Sequence, residues 1–202
     1  MGKGRIFCII GPSASGKDSL YRGILEAMPI PLQTVTSYTT RPMRSGEIDG
    51  AEYFFKTIPE FEAMQTSGEV IEFRCYHTIH GEWYYFTADD GQIDEEHDYL
   101  VTQVLGGYEN LRKYYGSDRV IPIYIQVEDG LRLSRALERE RSQEHPKYTE
   151  MCRRFIADCS DFSEDNIERL GITHRFENID FDRCLDEICR EIKSYDRSAS
   201  DR

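Results

Sequence analysis

The sequence predicts a three-layer α/β fold with a mostly parallel sheet, an inserted β-rich subdomain and a helical lid, and three features carry that expectation. Residues 5–10, Arg-Ile-Phe-Cys-Ile-Ile, are a short β-rich apolar run of the kind that forms a strand buried on both faces. A Gly/Ser turn follows directly, and beyond it Leu20, Ile24, Leu25 and Met28 recur at helical spacing until Pro29 and Pro31 end the element. From residue 99 onward, strand-like runs alternate with helical periods, the rhythm of a parallel sheet with crossover helices.

The middle of the chain has another character. Residues 34–39, 52–55, 69–76 and 82–87 are β-rich pieces around one short helix at 59–66. Afterwards come a strand at 99–105, a helix at 108–115, a strand at 120–127 and a long charged helix at 129–144. Pro146 interrupts the helical stretch, and a second helix is expected at 149–158 or beyond. A strand at 174–176 precedes a terminal helix striped by Phe181, Leu185, Ile188, Ile192 and Tyr195. The two charged helices are of the sort that form mobile lids. The chain is therefore read as one domain over 1–202: a core of 1–33, 97–130 and 171–195, an insertion at 34–96, a lid at 131–157 and a disordered polar tail at 196–202.

At 202 residues the chain has the size of one compact α/β domain. The longest apolar run, residues 6–10, is far short of the ~20 residues of a membrane helix. No signal peptide precedes it, so a cytoplasmic protein is expected. The net charge of −12 argues against nucleic acid as a partner, because phosphate-backbone affinity is built from surplus Lys and Arg. Arginines nevertheless cluster at Arg41 and Arg44, and again at Arg132, Arg135, Arg139, Arg141, Arg153 and Arg154, which suits small polyanionic ligands. Glu138, Glu140 and Glu144 make part of the second group equally readable as a solvated helix face. The six cysteines show no C-x-x-C spacing and are read as reduced, mostly core thiols. Cys75, His77 and His80 lie close enough to raise a metal site, against which stands zinc's usual demand for four well-spaced ligands.

The strongest chemical signal lies between the first strand and first helix: Gly11, Pro12, Ser13, Ala14, Ser15, Gly16, Lys17, Asp18 and Ser19 nearly fit G-x-x-x-x-G-K-[ST]. Glycines let such a backbone wrap a phosphate, amides at the helix N-terminus point at it, and the lysine bridges the β- and γ-phosphates. This places the expected fold among the P-loop NTPases, with a nucleotide phosphate as the expected ligand. One residue departs from the pattern. Asp18 stands where Ser or Thr would place a hydroxyl on Mg²⁺, with Ser19 following, so the metal site is read on Asp18 or a rotated Ser19, with Glu128 or Asp129 also open as nearby carboxylates, and Asp18 also reads as a plain helix-start residue.

A second segment carries Ser37-Tyr-Thr-Thr-Arg41-Pro-Met-Arg44-Ser-Gly46-Glu-Ile-Asp-Gly50-Ala-Glu-Tyr53-Phe-Phe55. It resembles the S-x-T-T-R-x-x-R-x-G-E-x-x-G-x-x-Y-x-F acceptor-binding stretch of guanylate kinases. Two forked guanidiniums with a tyrosine hydroxyl also suit the phosphate of a monophosphate acceptor. The resemblance implies ATP and Mg²⁺ as donor and metal, GMP as acceptor, and a GMP site built from Ser37, Arg41, Arg44, Tyr53, Glu72, Tyr85 and Thr87. Glu72 would accept from guanine N1–H and the 2-amino group. Tyr85 and Thr87 lie in His80-Gly81-Glu-Trp-Tyr-Tyr85-Phe86-Thr87, similar to the family's H-G-x-x-Y-G-T, with Phe86 replacing its glycine.

By the same resemblance Arg135 and Arg139 match the lid's R-L-x-x-R, Arg154 (or Arg153) matches its later arginine, and Asn178 lies near the donor adenine. Lys17, Arg41, Arg139 and Arg154 are the implied catalytic residues, with Arg135 packed on the adenine. Where the family carries D-x-D after a hydrophobic strand, this chain reads Val101-Thr102-Gln103-Val104-Leu105-Gly106. The expected activity is ATP + GMP to ADP + GDP by a monomer or homodimer. A P-loop kinase for another monophosphate or a sugar phosphate stays open because of the missing D-x-D, as does a non-catalytic binding module.

Overall fold

The computed structural model describes residues 3–78 and 81–196. His80 and the polar tail from residue 197 lie outside the described residues. Strand β1 (Ile6–Ile10) is fully buried along its length. It is the middle strand of a parallel five-stranded sheet in the order β2 (Gln33–Thr34), β7 (Tyr99–Gln103), β1, β8 (Val120–Gln126), β9 (Arg175–Glu177).

Side chains alternate across a strand, so β1 feeds two cores. Ile6, Cys8 and Ile10 face α3 (Leu105–Tyr115) and α6 (Glu164–Arg169) through Leu105, Tyr108, Leu111, Ile167 and Leu170. Phe7 and Ile9 face α1 (Lys17–Ala27) and α7 (Phe181–Ser194) through Leu20, Ile24, Cys184, Ile188 and Ile192. Helices on both faces make the expected three layers.

A second sheet, ordered β4 (Phe54–Phe55), β3 (Tyr38–Thr39), β6 (Gly81–Ala88), β5 (Val70–Thr78), is mostly antiparallel and is covered by α2 (Ile58–Ser67). The helix starts at Thr57, whose hydroxyl accepts from Glu60 N while Glu60 reaches back to Thr57 N, satisfying two end donors at once. Phe86 is wholly buried here, stacked on Tyr38 with ring centroids 5.0 Å apart and 4.9 Å from Phe61. The phenylalanine that breaks the Y-G-T pattern is thus a core anchor, and period-2 alternation puts its neighbours Tyr85 and Thr87 on the opposite face.

Four expectations need correction. The run at 34–39 is not one strand: Gln33–Thr34 pairs with β7 in the main sheet, and Tyr38–Thr39 pairs with β6 in the second. The strand expected to reach 105 ends at Gln103, because Leu105 already opens α3; Gly106 and Gly107, poor helix formers, hid that first turn. The short α6 was not expected, since six residues give too little periodicity to read. Of the cysteines, Cys8 and Cys184 are buried, whereas Cys152 and Cys159 on α5 (Tyr148–Asp161) are exposed.

Because Phe86 joins Tyr38 and Phe61 in one small core, Phe86→Ala should cost about 3–5 kcal/mol. A thermal melt would check this, with the midpoint expected to fall by several degrees.

Candidate active site

The P-loop leaves the end of β1 and enters α1. Its backbone turns through left-handed conformations at Ala14 (φ 63°) and Gly16 (φ 87°), the kind of turn that aims successive amides at one point. Glycine is required at 16 for a second reason. A Cβ there would stand 2.3 Å from Asn178 Nδ2. That buried amide donates to Ser15 O at 2.8 Å, and Arg135 donates to Asn178 O at 2.9 Å. Asn178, implied near the donor adenine, therefore uses its side-chain amide as a brace behind the P-loop.

The helices α4 (Asp129–Arg141) and α5 are latched onto the loop by residues that sequence reasoning missed as site residues. Arg132, only 2% exposed, pairs with Asp129 at 2.7 Å, packs over the Phe155 ring and lies 3.8 Å from Asp158. The Asp158 carboxylate accepts from Ser13 N at 2.7 Å. The Asp129–Arg132 spacing of three was a readable signal; the reach of Asp158 to a residue 145 positions away was not.

Lys17, Asp18 and Ser19 line one cleft together with Arg135, Arg139 and Arg154, enclosing with its open mouth about 800 Å³. Arg153 instead pairs with Glu150 at 2.7 Å on the exposed side of α5, so Arg154 is the arginine that reaches the cleft. Glu128 caps α4 by accepting from Gly130 N and Leu131 N, and Asp129 holds Arg132. Asp18 and Ser19 are exposed in the cleft, and their carboxylate and hydroxyl oxygens are the hard donor set that fits Mg²⁺.

The second sheet presents the other cluster. On one face of the β5–β6 hairpin Glu72 is paired with Thr87 and Arg74 with Tyr85. Tyr85 packs edge-on against Tyr53 at 5.6 Å, and Arg41 lies over the Tyr53 ring at 5.2 Å. Arg41, buried to 4% exposure, forks onto Glu47 through two hydrogen bonds, and Glu47 also accepts from Arg44 N at 2.7 Å. The Arg41 guanidinium, and after it the Arg44 amide, hold the Glu47 carboxyl down at about 2 against an ordinary 4.5. Arg44 itself is exposed.

Glu72 is buried, and its Oε1 accepts from Thr87 Oγ1 at 2.8 Å and from Gln103 Nε2 at 3.2 Å. Gln103 is the further residue that sequence reasoning passed over, having noted only the carboxylates that strand β7 lacks. It is buried to 4% exposure, its Oε1 has no hydrogen-bond partner, and with Ser37 and Thr87 it lines a small pocket of about 50 Å³. Gly107 makes room for it, since a Cβ there would fall 2.3 Å from Gln103 Oε1.

A loop with left-handed turns at the C-terminal end of a central parallel strand, opening a helix and facing a lysine and three arginines, defines the P-loop class. The family model described as guanylate kinase matches residues 3–194, and the chain belongs to the guanylate kinase family. A guanylate kinase of Rhodopseudomonas palustris is 46% identical over 70 residues, covering 35% of this chain and 31% of that protein. One of Rhizobium meliloti is 34% identical over 125 residues, covering 61% of this chain and 55% of that protein. The matched segments thus span a third to about half of these relatives' length. A crystal structure of guanylate kinase from Anaplasma phagocytophilum superposes with a TM-score of 0.60 at 19% identity, covering 96% of this chain and 86% of that one, a likeness of fold.

The Arg41–Glu47 pair makes a pH prediction. Glu47 titrates lower folded than unfolded, so its contribution is fully present above about 4.5 and is lost as pH falls through about 2. Thermal melts between pH 7 and 2 should show Glu47→Gln less stable than the parent at pH 7, with the difference shrinking below pH 4.

Proposed function

We propose that the protein is an ATP-dependent nucleoside monophosphate kinase whose acceptor is GMP. The observation that carries the acceptor assignment is buried Glu72, on the same hairpin face as Tyr85 and met there by Gln103 from the end of β7, with Arg41 and Tyr53 beside Tyr85. Tyr85 and Thr87 are two residues apart on one side of β6, roughly 7 Å, about the spacing at which one ligand can offer a phosphate to one and a base to the other. Guanine presents two adjacent donors, N1–H and the 2-amino group. Glu72 Oε2 and the unpartnered Gln103 Oε1 supply two acceptors for them, whereas adenine N1 would meet acceptors with an acceptor. A neutral Gln103 also spares Glu72 a like charge at hydrogen-bond distance.

On the donor side the P-loop amides and Lys17 wrap the ATP phosphates, and Arg139 and Arg154 offset charge on the phosphoryl group in flight. Arg135, tied to Asn178 O, stands at the entrance for the adenine. Arg41 and Arg44 grip the acceptor phosphate, with Glu47 orienting Arg41. No covalent intermediate on the protein is required, because in-line positioning and charge neutralisation supply the rate. Mg²⁺, when bound, draws charge from the transferring phosphate. Asp18 and Ser19, which line the cleft, would hold it through their oxygens. The core, acceptor-binding insertion and lid divide the chain near 34–96 and 131–157. Among the described residues no helix is long and apolar enough to cross a membrane, and the proposal takes the enzyme as cytoplasmic, a monomer or homodimer that acts on small nucleotides and not on nucleic acid.

A coupled ADP-release assay with ATP and GMP, dGMP, AMP, CMP, UMP, IMP and sugar phosphates tests the proposal. Turnover should be highest with GMP, Lys17→Met should lower it at least ~10²-fold without loss of fold, and Glu72→Gln should weaken GMP use more than that of pyrimidine monophosphates. No turnover with any acceptor would leave a binding module. For the metal, Asp18→Asn should raise the Mg²⁺ concentration at half-maximal rate and Asp18→Ser should restore it; an unchanged titration in both would make Asp18 a helix-start residue only.

A further inference from the structure

The β5–β6 hairpin has a second face, turned away from Glu72 and Tyr85, and we propose that Cys75, His77 and Glu82 on it form a binding site for a borderline-soft divalent transition ion such as Zn²⁺. Cys75 and His77 are two residues apart on β5 and so share a face, and His77 is directly opposite Glu82 across the ladder. The thiol, an imidazole nitrogen and a carboxylate oxygen all lie within 4.8 Å of one another. His77 Nδ1 is already 3.1 Å from Glu82 Oε1. An exposed His–Glu pair alone is an ordinary surface contact; a converging sulfur donor is what sets this one apart.

The donor chemistry selects the ion. Sulfur, nitrogen and oxygen together suit Zn²⁺ and its neighbours, while Mg²⁺ and Ca²⁺ favour oxygen throughout. Metal–donor distances of about 2.0–2.3 Å require donors roughly 3.5 Å apart, so the cluster must contract by about an ångström. The His77 side chain is 81% exposed and free to make that adjustment, and exposure leaves the remaining coordination positions open to water. Outer support is present: the Tyr84 hydroxyl donates to Glu82 Oε2 at 2.7 Å and also meets the Cys75 thiol, fixing two of the donors from behind. On binding, the Cys75 proton leaves to solvent, and the thiolate and carboxylate together offset the ion's two charges. Tyr84 in turn stacks on Phe61 at 4.4 Å, so an ion here would staple the hairpin to the core under α2, independently of any nucleotide.

The test is titration of the full-length chain with Co²⁺ and then Zn²⁺ under metal-free reducing conditions. One equivalent of Co²⁺ should give a near-ultraviolet sulfur-to-metal absorption band that Zn²⁺ displaces, and Zn²⁺ should raise the melting temperature. Cys75→Ser should abolish the band, and His77→Ala and Glu82→Gln should each weaken binding by ~10-fold or more. A double Cys152→Ser, Cys159→Ser variant, which removes the exposed thiols of α5, should keep it. The proposal is overturned by a wild-type chain that gives no band, by a band that survives Cys75→Ser, or by one lost with the α5 cysteines. If Cys75→Ser melts too early to titrate, the exposed His77→Ala variant decides: Co²⁺ affinity equal to wild type overturns the site.

Discussion

The burial of β1 constrains what lies at both of its ends. All five residues of this strand are out of water, with odd and even positions feeding cores on opposite faces of the sheet. A strand in that position cannot slip by one residue without exchanging the two cores. The loop that leaves it therefore starts from a rigid point, and Asn178 on the segment after β9 fastens the loop by its hydrogen bond to Ser15 O. Without a Cβ at 16 the two segments meet; with one, the Asn178 amide would have to shift. The loop geometry is thus set by two distant parts of the chain closing on one glycine.

The arginines show how an acidic chain can present local positive charge. Arg132 and Arg41 are nearly equal in burial, yet both are engaged by carboxylates, which offset the cost of removing a guanidinium from water. Arg132 joins α4, α5 and the P-loop, and Arg41 is aimed by Glu47. Arg139 and Arg154, by contrast, face the open cleft with Lys17.

The β5–β6 hairpin carries two chemistries back to back. Glu72, Arg74, Tyr85 and Thr87 alternate with Phe73, Cys75, Tyr84 and Phe86, so the polar face is rigid because the apolar face is packed. Phe86 is the residue that links them. Its ring fills the small core, and its backbone fixes the two neighbours that point the other way.

The sequence by itself determined the elements whose signals are local: β1 by its apolar run, α1 by its 3.6 period and closing prolines, α7 by its stripe, and the P-loop by glycine spacing in a strand–loop–helix frame. The arginine segment from Ser37 to Phe55 was legible because its residue pattern resembles the acceptor-binding stretch of guanylate kinases. The pairing of 33–34 and 38–39 with different sheets was decided only by tertiary structure, since strand propensity says nothing about which partner a backbone will meet. So were the brace by Asn178, the latch of Asp158 on Ser13 and the approach of Gln103 to Glu72 across 31 positions. Each of these is a hydrogen bond between segments far apart in sequence, and its geometry exists only once the sheet has brought the two backbones together.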